Sequence, residues 1–143
     1  MELSMTRHER LTFLGDPPHV GVLSVDAPDR GPVSAPVWYT LEPDGVLTFS
    51  VGATSRKAAL LRDAGRATMC VQSEEPPYRY VSVEGPAHER GPSSDDSRHE
   101  RAIRYLGPEF GELYFASTRD EAEVTFALVP SRWASIDYHK LFV

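Results

Sequence analysis

The residues best suited to chemistry in this chain are Ser55, Arg56 and Lys57, with Thr54 and Ser50 just ahead of them. Phe49 to Asp63 reads as the end of a strand, a polar turn and the first two turns of a helix. Thr54 or Ser55 can cap that helix by accepting a hydrogen bond from an unpaired backbone N–H. Arg56 and Lys57 then stand in its first turn, where the helix already carries a positive partial charge and cations cost stability. Neither has an acid four residues on, because those positions are Leu60 and Leu61. Two cations without partners, neighbouring hydroxyls and free amides form a coherent anion site, best suited to a phosphate. Of the fifteen basic residues only Lys57 and Lys140 are lysines. The alternative is a solvated helix start whose cations cover apolar surface with their stems.

The elements that must position this turn can be read from pattern. Thr6 to Leu14 has the spacing of a short helix with a capping box between Thr6 and Glu9. His19 to Asp26 reads as a strand, and Val33 to Leu41 as a second, with Val33, Ala35, Val37, Tyr39 and Leu41 on one face. Pro36 removes a ladder donor in mid-strand, which places that strand at an edge or a bulge. Glu42 to Gly45 turns the chain into a strand over Val46 to Val51. Ala58 and Leu61 form the buried stripe of the following helix. Further strands are expected over Arg66 to Gln72, Tyr78 to Ala87, Val124 to Val129 and Arg132 to Tyr138. Between them, Ser93 to Asp96 caps a helix that Gly107-Pro108 ends, with a helical turn near Phe110 to Ala116. Short strands with a few helices between them suit a small barrel better than a βαβ repeat.

Composition narrows the function. One hundred and forty-three residues suit one domain spanning the chain, and a hydrophobic fraction of 41% is ordinary for a soluble protein. A net charge of -6 argues against broad binding to nucleic acid or an anionic membrane, so any phosphate site is local. No apolar run is long enough to span a bilayer and no signal-peptide pattern is present, which gives a cytoplasmic expectation. The single Cys70 lies in the apolar run Ala67 to Val71 and is expected to be buried packing. No dinucleotide, Walker or nucleophile-elbow motif occurs. His8-Glu9 and His99-Glu100 lack the second histidine of a zinc helix, and no metal site is expected.

Four segments in order carry a resemblance: Gly31 to Tyr39, the strand ending Leu47-Thr48-Phe49-Ser50, the turn Ser55-Arg56-Lys57, and Tyr78 to Gly85. Together they resemble the pyridoxamine 5′-phosphate oxidase-like split-barrel superfamily, in particular its small flavin- or deazaflavin F420-dependent reductases. The resemblance is good over residues 6 to 90 and rests on strand layout alone beyond them. It implies a mainly β fold, a six-stranded antiparallel Greek-key split barrel with peripheral helices, forming a homodimer with a cofactor in each interface groove. It implies that Ser55, Arg56 and Lys57 hold the cofactor phosphate with Ser50 and Thr54. The backbone of Ser34 to Trp38, including Pro36 and Val37, would run along the tricyclic ring, and Tyr80 would add a contact from a later strand.

The ring-side strand here carries no cation over Pro32 to Trp38, where pyridoxamine phosphate oxidases have an arginine and a lysine, so that oxidation is not expected. The resemblance instead implies an oxidoreductase passing hydride between reduced F420 and a small organic acceptor. The alternatives are FMN in the same groove, or a non-catalytic carrier of flavin, F420 or a haem-like ligand. The cofactor would supply the chemistry, so no catalytic acid or base is named.

Overall fold

The computed structural model describes residues 2–143. Its first element, α1 (Arg7–Gly15), starts as its sequence dictates. Thr6 Oγ1 accepts from the Glu9 N–H at 3.2 Å while a Glu9 carboxylate oxygen accepts from the Thr6 N–H at 2.9 Å. β1 (Gly21–Val25) and β2 (Val33–Val37) follow, then the short β3 (Thr40–Leu41) and β4 (Leu47–Gly52). α2 (Arg56–Ala64) ends at Gly65, whose φ of 67° is the left-handed conformation glycine adopts freely. β5 (Arg66–Ser73), β6 (Arg79–Pro92), α3 (Asp95–Thr118), β7 (Glu123–Leu128) and β8 (Arg132–Asp137) complete the regular elements, with a 3-10 turn over Tyr138–Leu141.

The sheet is antiparallel throughout, in the order β2-β1-β5-β6-β7-β4-β3, with β8 also paired to β6. Its two terminal strands are the halves of one continuous run, so the path curls round until its ends meet through Trp38 and Tyr39. This is a β split barrel with peripheral helices. β6 serves both halves: Arg79 to Pro86 pairs with β5, and Ala87 to Pro92 pairs with β7. Where it changes partner, the β7–β8 connection crosses it. There the Val129 N–H donates to Pro86 O at 2.9 Å and the Ser131 N–H donates to Glu84 O at 2.8 Å. A Cβ on Gly85 would lie 1.8 Å from Val129 O, so only glycine admits the crossing.

The barrel interior is filled by the inward rows of these strands. Leu23, Val25, Leu47, Phe49, Val51, Met69, Val71, Val81, Val83, Phe126 and Leu128 are all buried, and Phe49 and Phe126 lie 6.2 Å apart in parallel orientation. Leu14 from α1 and Ala58 and Leu61 from α2 close the core, as the helical stripe requires.

Several expectations change in detail. The run Val33 to Leu41 is two strands, with β2 paired to β1 and β3 to β4. Its alternation survives the break, because Val37 and Tyr39 are buried on either side of it while Pro36 and Thr40 stay exposed. Pro36 sits on a sheet edge, where its missing donor costs nothing. The described residues therefore form eight strand segments: six runs build the barrel, one of them is divided, and β8 is added alongside β6. Cys70 is exposed, contrary to expectation, because period-two alternation turns Met69 and Val71 inward and Cys70 outward. The strand starting near Tyr78 runs on to Pro92.

α3 is interrupted at Gly107, whose φ of 85° and ψ of 172° are not helical, followed by Pro108. Residues 95–106 and 108–118 fold against one another. A Cβ on Gly111 would come within 2.7 Å of the Ile103 Cα, and Arg98 Nη2 donates to Thr118 O at 2.6 Å.

Candidate functional site

The corner between β2 and β3 leaves backbone groups without strand partners, and α3 supplies them. The Tyr39 N–H donates to the Tyr105 hydroxyl oxygen at 3.1 Å, and that hydroxyl donates in turn to His19 O at 2.7 Å. Tyr39 is buried, and its own hydroxyl donates to Leu14 O at 2.8 Å. Burial raises the pKa of both hydroxyls, which stay neutral donors across the physiological range. The Trp38 ring stacks on Tyr105 at 5.2 Å and 11°, and meets Tyr114 at 5.0 Å in a tilted arrangement. Both halves of α3 thus clasp the Trp38 side chain, and the residue borders a cavity of ≈ 390 Å³.

The apolar lining of that cavity comes from Val20, Pro36, Val37 and Trp38 with Tyr114 and Phe115 of α3. Its polar lining comes from Ser50, Gly52 and Lys57, then Arg98, Arg101 and Glu123. Lys57 arrives there because β4 ends at Gly52 and the chain turns directly into α2. The Ser55 N–H donates to Gly52 O at 3.0 Å, and Ser55 Oγ caps the helix by accepting from the Ala58 N–H at 3.1 Å. Among the described residues, the Arg56 and Lys57 amides donate to no acceptor of the chain, leaving two N–H groups at the positive end of the helix dipole.

The two arginines of α3 differ in kind. Arg98 is fully engaged: Nε pairs with the Glu123 carboxylate at 2.7 Å, and its other nitrogens reach Thr118 O, Arg119 O and Glu121 O. It pins the end of α3 to the start of β7. Arg101 is 8% exposed and forms no ion pair among the described residues. Its Nε donates to Thr40 Oγ1 at 3.1 Å and its Nη1 to Ser50 Oγ at 2.9 Å. Ser50 Oγ is also 2.8 Å from Ser93 Oγ, which is 2.8 Å from Thr125 Oγ1. Burial pushes the Arg101 guanidinium below its ordinary pKa, and an arginine side chain keeps its charge in proteins. Lys57, Arg98 and Arg101 against Glu123 leave the cavity two charges positive in a chain of net charge -6.

The structure brings Pro36, Val37, Trp38, Ser50 and Lys57 to this one cavity. Five other candidates lie off its wall. Ser34 is exposed, with its hydroxyl 2.9 Å from that of Ser24. Thr54 and Arg56 are exposed beside the start of α2, and Ser55 is occupied with its cap. Tyr80 lies in β6 between Gln72 and Ile136. Sequence reasoning passed over Arg98, Arg101, Tyr114, Phe115 and Glu123. Arg101 had a readable signal: the residues three and four away on either side are Ser97, Arg98, Arg104 and Tyr105, so no acid answers it at helical spacing. That criterion singled out Arg56 and Lys57. Among the described residues no cluster of histidine, cysteine and carboxylate could hold a metal, and no helix is long and apolar enough to cross a membrane.

Solved structures share the whole architecture. The conserved hypothetical protein Rv2991 from Mycobacterium tuberculosis is 25% identical, with a TM-score of 0.76 over 99% of this chain and 90% of that one. An F420 reductase is 20% identical, with a TM-score of 0.65 over 87% of this chain and 94% of that one. A FAD and heme binding protein from Mycobacterium smegmatis is 21% identical, with a TM-score of 0.66 over 94% of this chain and 73% of that one. No curated protein matches the sequence. The family model described as pyridoxamine 5′-phosphate oxidase matches residues 6–137, which takes in every strand and helix that borders the cavity, and the chain belongs to that family.

Proposed function

We propose that this protein is an oxidoreductase that holds a phosphate-bearing redox cofactor in the ≈ 390 Å³ cavity and passes hydride between it and a small organic acceptor. The cofactor proposed is F420, with FMN the alternative in the same place. The observation that carries the reading is one cavity that joins an uncharged strand edge, Pro36 to Trp38, to Lys57 in the first turn of α2, where the Arg56 and Lys57 amides donate to no acceptor among the described residues.

The residues present fit such a group. The edge strand offers flat apolar surface and backbone without a neighbouring strand on that side, which suits a planar ring system. Lys57 with the Arg56 and Lys57 amides suits a phosphate. When bound, the cofactor supplies the hydride chemistry. The chain's part is to orient the ring along Pro36 to Trp38, to hold the phosphate, and to keep water from the apolar wall. The fold neighbours described as an F420 reductase and as FAD-binding proteins support a ligand of this class. The proposal includes a homodimer whose partner completes the groove beside Val20 and Pro36, which lie on the cavity rim and are both exposed.

The test is a titration of the protein with F420 and FMN side by side, read by fluorescence. Tighter binding of F420 is expected, and tighter binding of FMN selects the alternative. Binding of neither removes the reading. Lys57→Ala is expected to weaken binding of the preferred cofactor by about 1–3 kcal/mol with thermal stability nearly unchanged. Turnover of reduced cofactor with an acceptor panel separates an enzyme from a carrier.

A further inference from the structure

Arg101 is anomalous by elementary electrostatics. An arginine residue that is 8% exposed ordinarily has a carboxylate partner, because desolvating a lone cation is costly. Here it has two neutral hydroxyls, Thr40 Oγ1 and Ser50 Oγ. They take two of the five N–H groups of an arginine, leaving one on Nη1 and both on Nη2. The residue lines the cavity; of the two acids whose charge reaches it, Glu123 is already paired with Arg98 at 2.7 Å and Glu100 forms no ion pair with it. The position is held from several sides. Ala102, the next residue of α3, is buried, and Ser50 is fixed through Ser93 and Thr125. A fork held in place in the cavity wall, with three N–H groups left free, matches a planar oxyanion.

We infer that Arg101 receives an oxyanion of a ligand bound in this cavity, either a carboxylate on the small acceptor or the cofactor's phosphate. It is then a specificity-determining residue of the site, and the unpaired charge is the cost of an anion pocket that is ready before the ligand arrives. The inference rests on the proposed reading only in taking this cavity as the ligand site. The aromatic residues Trp38, Tyr114 and Phe115 in the same lining favour an aromatic or otherwise planar acid as the acceptor.

The experiment is calorimetric titration of the full chain and its Arg101→Gln and Arg101→Lys variants with benzoate, benzyl alcohol, FMN and riboflavin. The expected result is a loss of about tenfold or more in affinity for an anionic probe in Arg101→Gln, largely restored in Arg101→Lys, with no change for benzyl alcohol or riboflavin. A loss confined to benzoate assigns the oxyanion to the acceptor, and a loss confined to FMN assigns it to the cofactor. Equal affinities for both anions in wild type and Arg101→Gln overturn the inference, even where FMN binding itself holds. Benzoate binding that depends on Arg101 without any FMN or F420 binding would overturn the proposed function and leave this inference standing. Thermal melts of Arg101→Met guard against a merely structural role. An unlowered melting temperature is expected, whereas a lowered one together with unchanged anion binding overturns the inference.

Discussion

His19 illustrates how this barrel treats polar groups near its seam. Its ring stacks on Phe13 at 4.5 Å and its Nε2 is buried with no hydrogen-bond partner. Burial lowers its pKa below 6.5, Arg79 and Arg104 lower it further, and Asp16 only partly opposes them. The unfolded chain therefore binds this proton more readily than the native one. Stability from His19 is complete above about pH 6.5 and is lost as pH falls from there through the depressed native value. Thermal melts of wild type and His19→Gln across pH 5 to 8 check this. The wild type should lose more melting temperature on acidification than the variant, and parallel curves would refute the assignment. The residue scale was also where the sequence was most informative about chemistry. A cation with no acid at helical spacing pointed to Lys57, which does line the cavity. The same test went unapplied to Arg101 because its helix read as an ordinary amphipathic element behind a capping serine.

At the level of elements, period-two alternation located the strands, and the capping stretches at Thr6, Thr54-Ser55 and Ser93 to Asp96 located the helix starts, where Thr6, Ser55 and Ser94 are the caps. Alternation could not show the break at Trp38 and Tyr39, since a strand that changes partners keeps the same inward and outward phase. Nor could local pattern show that β6 changes neighbours at Gly85, because the residue that crosses there, Val129, is remote in sequence. That crossing gives a sharp stability test. Gly85→Ala places a methyl group 1.8 Å from a backbone oxygen that cannot rotate away, so a loss of about 3 kcal/mol, the upper end for overpacking, is expected in urea unfolding. Gly31→Ala is the control, with nothing within 4 Å of its added Cβ and an expected change within about 0.5 kcal/mol. Equal midpoints for the two variants would contradict the close crossing.

For the molecule as a whole, one outward row across β2, β1 and β5, Pro36, Val22 and Cys70, carries no charge. Val22, 43% exposed, stands between Pro36 and Cys70, both exposed, and Val20 beside it is 48% exposed. An uncharged row on an open sheet face suits a second copy of the chain, and Val20 and Pro36 carry that face to the rim of the cavity. Light scattering at micromolar concentration should give twice the 15.9 kDa chain mass, and Val22→Glu should shift the population to monomer. A monomeric wild type would remove the shared-groove part of the proposal. None of this proposed assembly was legible in local pattern. It entered through the family resemblance, and the exposed position of Cys70 that helps to mark the face ran against the sequence expectation.

The ring-like strand order also sets a timetable. The partners of β4 are the two-residue β3 and β7, and β7 lies far down the chain, beyond the whole of α3. As the polypeptide emerges during synthesis, the β1–β2 and β5–β6 pairs can form between near neighbours. Leu47, Phe49 and Val51 must wait for Leu128, Phe126 and Val124. Closure across that long interval, rather than hairpin formation, is then the slow event. A nascent or truncated chain that ends before Glu123 would leave the β4 edge and its apolar row open to other chains.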